Sequence, residues 1–222
     1  MISFDNVRKV YRQGARDVAA LDGLTLSIAA GEFVAVMGRS GSGKSTFLHL
    51  AGGLDLPTTG VVRVDGAEMS KLGDTERTLQ RRRRIGFVFQ FFNLMPTLTI
   101  EENVAMPLLF DGARLGGVLD RVRSVIDRVG IGHRMGHHPE ELSGGEMQRA
   151  AIARALVTDP AILLADEPTG NLDTATGTGI LEILKTAKRT DGARPTIVMV
   201  THDSNAAAYG DRTITLRDGR LA

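Results

Sequence analysis

The chain has 222 residues, and its 27 lysine and arginine residues nearly balance its 26 aspartate and glutamate residues. The net charge of +1 gives no reason to expect nucleic-acid binding, and the absence of cysteine excludes disulfide bridges and cysteine-type zinc sites. This length and an ordinary apolar fraction of 42% fit one large globular domain or two small ones.

Short apolar runs alternate with longer helical patterns, which is typical of an α/β fold. Residues 32–38 predict a buried strand that enters a glycine loop, and residues 45–52 predict the helix after it. Residues 61–66 predict a strand that ends in an Asp-Gly turn. The remaining predicted strands are 85–89, 161–165, 196–200 and, with a final Asp-Gly hairpin, 213–216. The runs at 161–165 and 196–200 are continuously apolar, as in a sheet covered on both faces.

The middle of the chain has a different pattern. Between residues 91 and 158 we find helical patterns, such as 119–129 and 146–156, and no convincing strand. We therefore predict an α/β core, formed by residues 1–90 and 159–222, that is interrupted by a helical insert of residues 91–158.

Four consecutive arginines, 81–84, precede the strand predicted at 85–89. The favoured interpretation is the solvated end of a helix. The alternative is a contact with phosphate or with an acidic partner.

Residues Gly38 to Ser45 match the pattern G-x-x-x-x-G-K-[ST], between a strand and a helix as that motif requires. The glycines let successive backbone N–H groups point at phosphate oxygens, and the helix N-terminus adds partial positive charge. Lys44 is then expected to reach the β- and γ-phosphates, Ser45 to bind Mg²⁺, and Thr46 to donate to the α-phosphate. The predicted nucleotide-binding residues of this loop are Gly38, Arg39, Ser40, Gly41, Ser42, Gly43, Lys44, Ser45 and Thr46.

Polar residues follow three of the predicted strands. Asp166 and Glu167 end the run at 161–165, and two adjacent carboxylates there require a cation. Asp166 is predicted to hold Mg²⁺ and Glu167 to act as general base on the attacking water, although a surface turn with two acids is the alternative. His202 and Gln90 follow two other strands, and strand ends of a parallel sheet form the ligand crevice.

His202 can donate to the γ-phosphate and position the water, and the neutral amide of Gln90 can contact Mg²⁺ or that water. A structural histidine and a polar strand end are the alternatives. Tyr11 precedes the first loop, where its ring could stack on adenine, but its position fits a core tyrosine equally well.

A second glycine segment, Leu142-Ser143-Gly144-Gly145-Glu146, begins the helical pattern at 146–156. Ser143 and Glu146 have the spacing of a capping box. Two consecutive glycines cost helix stability, so they also indicate that a ligand approaches the backbone. An anion site without its own lysine suggests half of a site that another molecule completes.

Together these residues resemble an ABC-transporter ATPase subunit, over essentially the whole chain. The matching motifs are Walker A at Gly38–Ser45, the Q-loop Gln90, the signature at Leu142–Glu146, Walker B at Ile162–Asp166 with the catalytic Glu167, the D-loop with Asp173, the switch His202 and the A-loop aromatic Tyr11. The resemblance implies a P-loop NTPase (RecA-like) α/β core with an N-terminal antiparallel β subdomain and an inserted ABC α-helical subdomain. It also implies Lys44, Gln90, Glu167 and His202 as catalytic residues, and Ser45, Gln90 and Asp166 as metal ligands. Outside the Walker A loop it implies five further nucleotide-binding residues besides Tyr11: Gln90, Ser143, Gly144, Gly145 and Asp173.

Segments 86–96, 99–104 and 166–173 resemble the macrolide-export and lipoprotein-release branch (MacB/LolD-like), which also includes cell-division and antimicrobial-peptide-resistance ATPases. Two departures from the commoner pattern are Arg39 in place of proline and Glu146 in place of glutamine. Neither removes a phosphate ligand.

The resemblance implies a head-to-tail homodimer in which each ATP lies between one chain's Walker A motif and Ser143–Gly145 of the other. These two segments should then lie well apart within one chain. It also implies integral-membrane permease subunits that dock near Phe91–Pro96, a segment unusually apolar for a loop, although core packing would explain this too.

We therefore expect a peripheral subunit at the cytoplasmic face of the inner or cell membrane, bound through membrane subunits. No apolar run approaches the roughly 18 residues that cross a bilayer, and the N-terminus lacks a signal-peptide core. Two alternatives are a cell-division ATPase that regulates cell-wall hydrolases without transport and, less favoured, an ABC ATPase that acts on DNA or ribosomes.

Overall fold

The computed structural model describes residues 1–14 and 16–222. In chain order its strands are β1 (Ile2–Gln13), β2 (Arg16–Ile28), β3 (Phe33–Met37), β4 (Thr59–Val64), β5 (Ala67–Glu68), β6 (Ile85–Val88), β7 (Ile162–Asp166), β8 (Thr196–Thr201), β9 (Arg212–Arg217) and β10 (Arg220–Leu221). Its α-helices are α1 (Lys44–Ala51), α2 (Asp74–Arg84), α3 (Ile100–Phe110), α4 (Leu115–Arg128), α5 (Gly144–Leu156), α6 (Thr174–Lys185) and α7 (Ser204–Ala207).

The strands form two sheets. One is antiparallel, with the order β2-β1-β4-β5. The other has the order β10-β9-β3-β8-β7-β6, and only its edge strand β10 runs antiparallel to its neighbour. Every residue of β8 is buried, because helices or the other sheet cover both faces.

Alternate residues of β3 enter two different hydrophobic clusters, as the two-residue period of a strand requires. Phe33 and Ala35 pack with α3, α4 and α5 on one face of the parallel sheet. Val34 and Val36 pack on the other face with α1 and the antiparallel sheet. Helix α1 therefore lies between the two sheets, and the rings of Phe4 in β1 and Phe47 in α1 stack with centroids 4.6 Å apart.

The predicted strands of the parallel sheet all occur, with ends shifted by one or two residues. Helix α3 is not singled out by the sequence patterns, since Pro107 lies within it. Its start is fixed by a capping box between Thr99 and Glu102. The insert of residues 91–158 contains α3, α4 and α5, and its boundaries as a separate domain remain a prediction.

The four arginines form the end of α2, directly before β6. Their side chains are not only solvated, because three of them also contact other parts of the chain. Arg84 pairs with Asp65 at 2.6 Å, Arg83 pairs with Asp111 at 3.2 Å, and Arg81 donates to the carbonyl of Gly53 at 2.8 Å. These contacts hold α2 against both the antiparallel sheet and the end of α3. No helix within residues 1–14 and 16–222 combines the length and apolarity needed to cross a membrane.

The packing of β6 against α5 gives a test of this core. Gly86→Ala should lower the free energy of unfolding by about 1–3 kcal/mol, because the added Cβ would lie 2.4 Å from the carbonyl oxygen of Ala155. Gly116→Ala in α4 is the matched control, since its Cβ meets nothing within 4 Å. That change should instead raise stability by about 0.5–1 kcal/mol. Chemical denaturation measures both, and an equal effect of the two substitutions would contradict the described packing.

Candidate nucleotide-binding and hydrolysis site

A cavity of about 450 Å³ lies where β3, β7 and β8 end, between the two sheets. Its walls come from both sheets and from the loop between β3 and α1. They are Tyr11, Val18, Ala19, Ala20, Ser40, Gly41, Gly43, Lys44, Ser45, Thr46, Asp166, Glu167, Val200 and His202. Residues that the sequence predicts to bind nucleotide, metal and attacking water are thus brought together in one place.

The loop between β3 and α1 is held by close backbone contacts with both sheets. A Cβ at Gly43 would lie 2.3 Å from the carbonyl oxygen of Ala20 in β2, and one at Gly38 would lie 2.4 Å from that of Leu216 in β9. Gly43 also has a φ of 101°, which side chains rarely adopt. Because Gly43 caps α1 without a side chain, the N–H groups of the first helical turn stay available to an anion.

Lys44 is buried, with 8% of its surface exposed. Its ammonium group donates to the carbonyl oxygens of Gly38 at 2.8 Å and Arg39 at 3.0 Å, which satisfies a buried charge. Ser42 is also buried, and its hydroxyl finds no hydrogen-bond partner among the described residues. The loop thus holds one cation beside a set of backbone donors, which is the chemistry that polyphosphates require.

Asp166 and Glu167 lie at the end of β7 and differ in their surroundings. Burial raises the pKa of Asp166, and the neighbouring charge of Glu167 raises it further. A bound cation would offset both effects. Glu167 has a φ of 43°, in the left-handed region, and its N–H donates to Val200 at 2.9 Å. Such strain in a non-glycine residue is frequent at functional sites.

His202 contacts Glu167 directly, with 3.0 Å between its Nδ1 and the carboxylate Oε2. Because a carboxylate only accepts hydrogen bonds, Nδ1 must carry the proton in this contact. The ring can then donate to a γ-phosphate through Nε2 only when it carries a second proton or leaves Glu167. The structure therefore links the predicted switch histidine to the predicted general base.

Tyr11 lies at the wall of the cavity and not in a core cluster. Its hydroxyl donates to Asp55 at 2.8 Å, and the ammonium group of Lys9 lies 4.9 Å from its ring centroid. Partial burial, followed by the contact with Asp55, raises the pKa of Tyr11. The ring is thereby kept neutral and in a fixed orientation beside Val18. The sequence did not predict Val18 as a site residue, because β2 carries no motif.

Gly38, Arg39 and Ser42 of the Walker A loop line an adjacent cavity of about 660 Å³, together with His202. Three predicted elements outside that loop do not line the cavity with Lys44 within the described part of the chain. A Cβ at Gly170 would lie 3.1 Å from the amide nitrogen of Gln90, so that amide lies against the loop after β7. Asp173 caps α6 and accepts from the backbone of Thr176 at 3.0 Å and from its hydroxyl at 2.6 Å. These bonds lower the pKa of Asp173. The third element, Ser143–Gly145, lies at the start of α5.

The signature segment forms the capping box that its spacing predicts. The Ser143 hydroxyl accepts from the N–H of Glu146 at 3.3 Å, while the Glu146 carboxylate accepts from the Ser143 N–H at 2.9 Å. Packing explains one of the two glycines, because a Cβ at Gly145 would lie 2.4 Å from Cγ2 of Thr176. The buried amide of Gln148, to which no sequence pattern assigns a role, donates to the carbonyl of Pro168 at 2.7 Å and joins α5 to the loop after β7.

Comparison with known proteins places this arrangement in a family. Residues 21–170 match the family model described as ABC transporter. The chain belongs to the ABC transporter family. It is 46% identical to the lipoprotein-releasing system ATP-binding protein LolD of Pseudomonas syringae, over 100% of this chain and 96% of that protein. It is 45% identical to the macrolide export ATP-binding/permease protein MacB of Syntrophobacter fumaroxidans, over 99% of this chain and 31% of that protein.

Two solved structures agree with this assignment to the ABC family. One is the dimeric cassette MJ0796 in a post-hydrolysis state bound to ADP and Pi, with a TM-score of 0.90 and 46% identity over 100% of this chain and 96% of that one. The other, a dimeric structure of the same cassette, has a TM-score of 0.91 and 47% identity over the same shares. The family, the LolD/MacB-like branch and the fold class predicted from the sequence are confirmed.

The wall formed by Tyr11 allows a test of base stacking. Tyr11→Ala should weaken ATP binding by about 5- to 150-fold, since a stacked base contributes about 1–3 kcal/mol. Tyr11→Phe, the matched control, keeps the ring and loses only the bond to Asp55, so its affinity should stay within about twofold. Calorimetric titration with ATP measures both. Equal losses in the two variants would show that the hydroxyl, and not the ring, carries the contact.

Proposed function

We propose that this ABC-family chain binds Mg²⁺ and ATP in the cavity beside the Walker A loop and hydrolyses the ATP to drive a membrane system of the LolD/MacB-like type. The observation that carries the proposal is the convergence of Lys44, Asp166, Glu167 and His202 on one cavity at the ends of β3, β7 and β8. These residues provide a cation for the phosphates, a metal ligand, a base and a positioning group.

The donor atoms at this site fit Mg²⁺. The hydroxyl of Ser45 and the carboxylate of Asp166 are hard oxygen ligands that line the same cavity. No group of three or more histidine, aspartate or glutamate side chains in the described residues could hold a metal alone. The metal would therefore bind together with the phosphates, whose charge it would neutralise. We propose that Gln90 joins the site only after its amide leaves the loop at Gly170.

In the proposed reaction Glu167 accepts a proton from the water that attacks the γ-phosphate. Its contact with His202 orients the carboxylate, and its backbone bond to Val200 fixes the carboxylate at the strand end. Lys44 exchanges its carbonyl partners Gly38 and Arg39 for phosphate oxygens. Asp166 would help to hold Mg²⁺, and the charge of that cation would offset the burial that raises the pKa of Asp166.

We propose that two chains form the working unit. The signature residues Ser143–Gly145 are not among the residues that line the cavity with Lys44, which supports the idea that they complete the site of another chain. A two-fold dimer uses the same two surfaces twice and so forms two such sites. ATP that contacts both chains binds the closed dimer more tightly than the single chain and so stabilises the dimer, and hydrolysis reopens it. The dimeric relatives with this fold support the same arrangement.

A groove of about 430 Å³ supports a membrane partner on another face of the chain. Its apolar walls include Phe87, Phe89, Met106 and Phe110, and its rim carries Arg81, Arg82 and Arg154. In the adjacent segment Phe91–Pro96, the side chains of Phe91 and Met95 are exposed, whereas Leu94 packs against the core. We propose that a short cytoplasmic helix of a membrane subunit, with apolar and acidic side chains, binds in this groove. The chain would then act at the cytoplasmic face of the membrane.

Removing the proposed base tests the hydrolysis step. Glu167→Gln should lower steady-state phosphate release by at least about 100-fold, the lower range for loss of general base catalysis. The variant should still bind ATP and accumulate as an ATP-bound dimer in size-exclusion chromatography. Glu140→Gln, at an exposed position outside the cavity, is the control and should turn over ATP at the wild-type rate. Turnover by Glu167→Gln at the wild-type rate would exclude Glu167 as the base.

The groove can be tested separately from hydrolysis. Phe110 is 66% exposed and lines the groove, so Phe110→Ser should weaken binding to the membrane subunit by about tenfold while ATP hydrolysis by the isolated chain continues. Leu221→Ser, which removes an apolar side chain 45% exposed on β10, is the matched control and should bind normally. Pull-down of the co-purifying membrane chain from detergent measures both. Normal binding by Phe110→Ser would place the docking surface elsewhere.

A further inference from the structure

A charged group outside the motifs contacts the signature segment. Oε1 of Glu146 accepts from Nε of Arg134 at 2.7 Å and lies 3.6 Å from Nε2 of His133. Its other oxygen, Oε2, accepts from both the N–H and the hydroxyl of Ser143, at 2.9 Å and 2.7 Å. Arg134 ends the short 3₁₀ helix Gly132–Arg134 that follows α4, and no sequence pattern singles it out.

These contacts keep a negative charge beside Ser143. The bonds from the backbone of Ser143, from Arg134 and from the Ser143 hydroxyl lower the pKa of Glu146 to about 2. The carboxylate is thus ionised at every pH at which a cytoplasmic enzyme works. Its Oε2 also accepts the hydrogen bond of the Ser143 hydroxyl, with 2.7 Å between the two oxygen atoms, and a hydroxyl has only one proton to donate.

This geometry conflicts with the role that the proposed function gives to Ser143. To bind the γ-phosphate of the other chain, the hydroxyl must turn its proton from a carboxylate to a phosphate, and the two anions repel each other. Arg134 is placed to reduce both difficulties, because it bonds the carboxylate on the oxygen that Ser143 does not use. The Arg134 guanidinium also donates to Nε2 of His137 at 3.3 Å, which fixes it from a second direction.

We propose that Arg134 is a positioning residue for the signature: its bond to Oε1 offsets the charge of the Glu146 carboxylate, so that the Ser143 hydroxyl passes from Oε2 to the γ-phosphate bound to the other chain at a lower free-energy cost. The inference rests on the proposed ATP-bound dimer. It assigns to Arg134 an effect on assembly that acts through Glu146. Glu146 occupies a position where glutamine is commoner. In this proposal its negative charge is compatible with the signature's role because Arg134, outside the motif, compensates that charge.

A double-mutant cycle tests this coupling in chains that carry Glu167→Gln, so that hydrolysis does not consume the dimer. The measured quantity is the ATP concentration at which half of the chain is dimeric, determined by light scattering after size exclusion. Arg134→Gln should raise this concentration about tenfold, the value of one hydrogen bond to a charged group. In chains that also carry Glu146→Gln, a residue that preserves the capping box, Arg134→Gln should change it by less than about threefold.

Two further measurements keep the result interpretable. Arg134→Lys retains the positive charge, so the ATP concentration at half dimerisation should return close to that of the parent chain. A role that depends only on the shape of the guanidinium would not allow this recovery. Each compared variant should stay folded without ATP, with a melting temperature well above the assay temperature. An equal shift from Arg134→Gln in both backgrounds would overturn the inference, since Arg134 would then act independently of Glu146. Failure of the parent Glu167→Gln chain to dimerise with ATP would instead contradict the proposed function.

Discussion

The close approach of the Walker A backbone to both sheets is the constraint on which the site depends. Gly43 lies against Ala20 of β2, and Gly38 lies against Leu216 of β9, at distances that leave no room for a side chain. The carbonyl of Ser42, between them, accepts from the N–H of Gly219 at 3.1 Å. Residues distant in sequence hold the loop in place. Its N–H groups are therefore already arranged to bind phosphate before any ligand is present.

The parallel sheet determines which side chains meet at this loop. Met37 pairs with Thr201 and Asp166 pairs with Val200, so β3, β7 and β8 end at one edge. The pairing of the strands alone therefore brings together the residues that follow them. Glu167 turns into this edge through a left-handed backbone, which its bond to Val200 stabilises. Placement of the base is thus a consequence of strand register.

Strands and motifs that are defined by residues close together in the chain could be predicted from the sequence. The buried strands are continuously apolar, and the Walker A pattern has a strict spacing, so both were recognised with boundaries close to those observed. Contacts made at long range could not be predicted. Val18 reaches the cavity only through the pairing of β1 with β2, and Arg134 reaches Glu146 only because the chain after α4 folds back beside the start of α5. Gly145 is the clearest example of a residue whose packing the sequence could not predict, because its neighbour Thr176 belongs to another helix.

Helix α5 joins three parts of the molecule that the proposed cycle must couple. Ser143 stands at its start, the buried Gln148 bonds Pro168 at 2.7 Å, and Arg154 near its end donates to the carbonyl of Phe92 at 2.8 Å. Its 13 residues span about 20 Å at the rise of an α-helix. Phe92 and Asn93, which follow Gln90, both have left-handed backbones. Since the helix is rigid and bonded at each point, we expect a displacement of Ser143 by the other chain's nucleotide to move the loop beside the proposed docking groove.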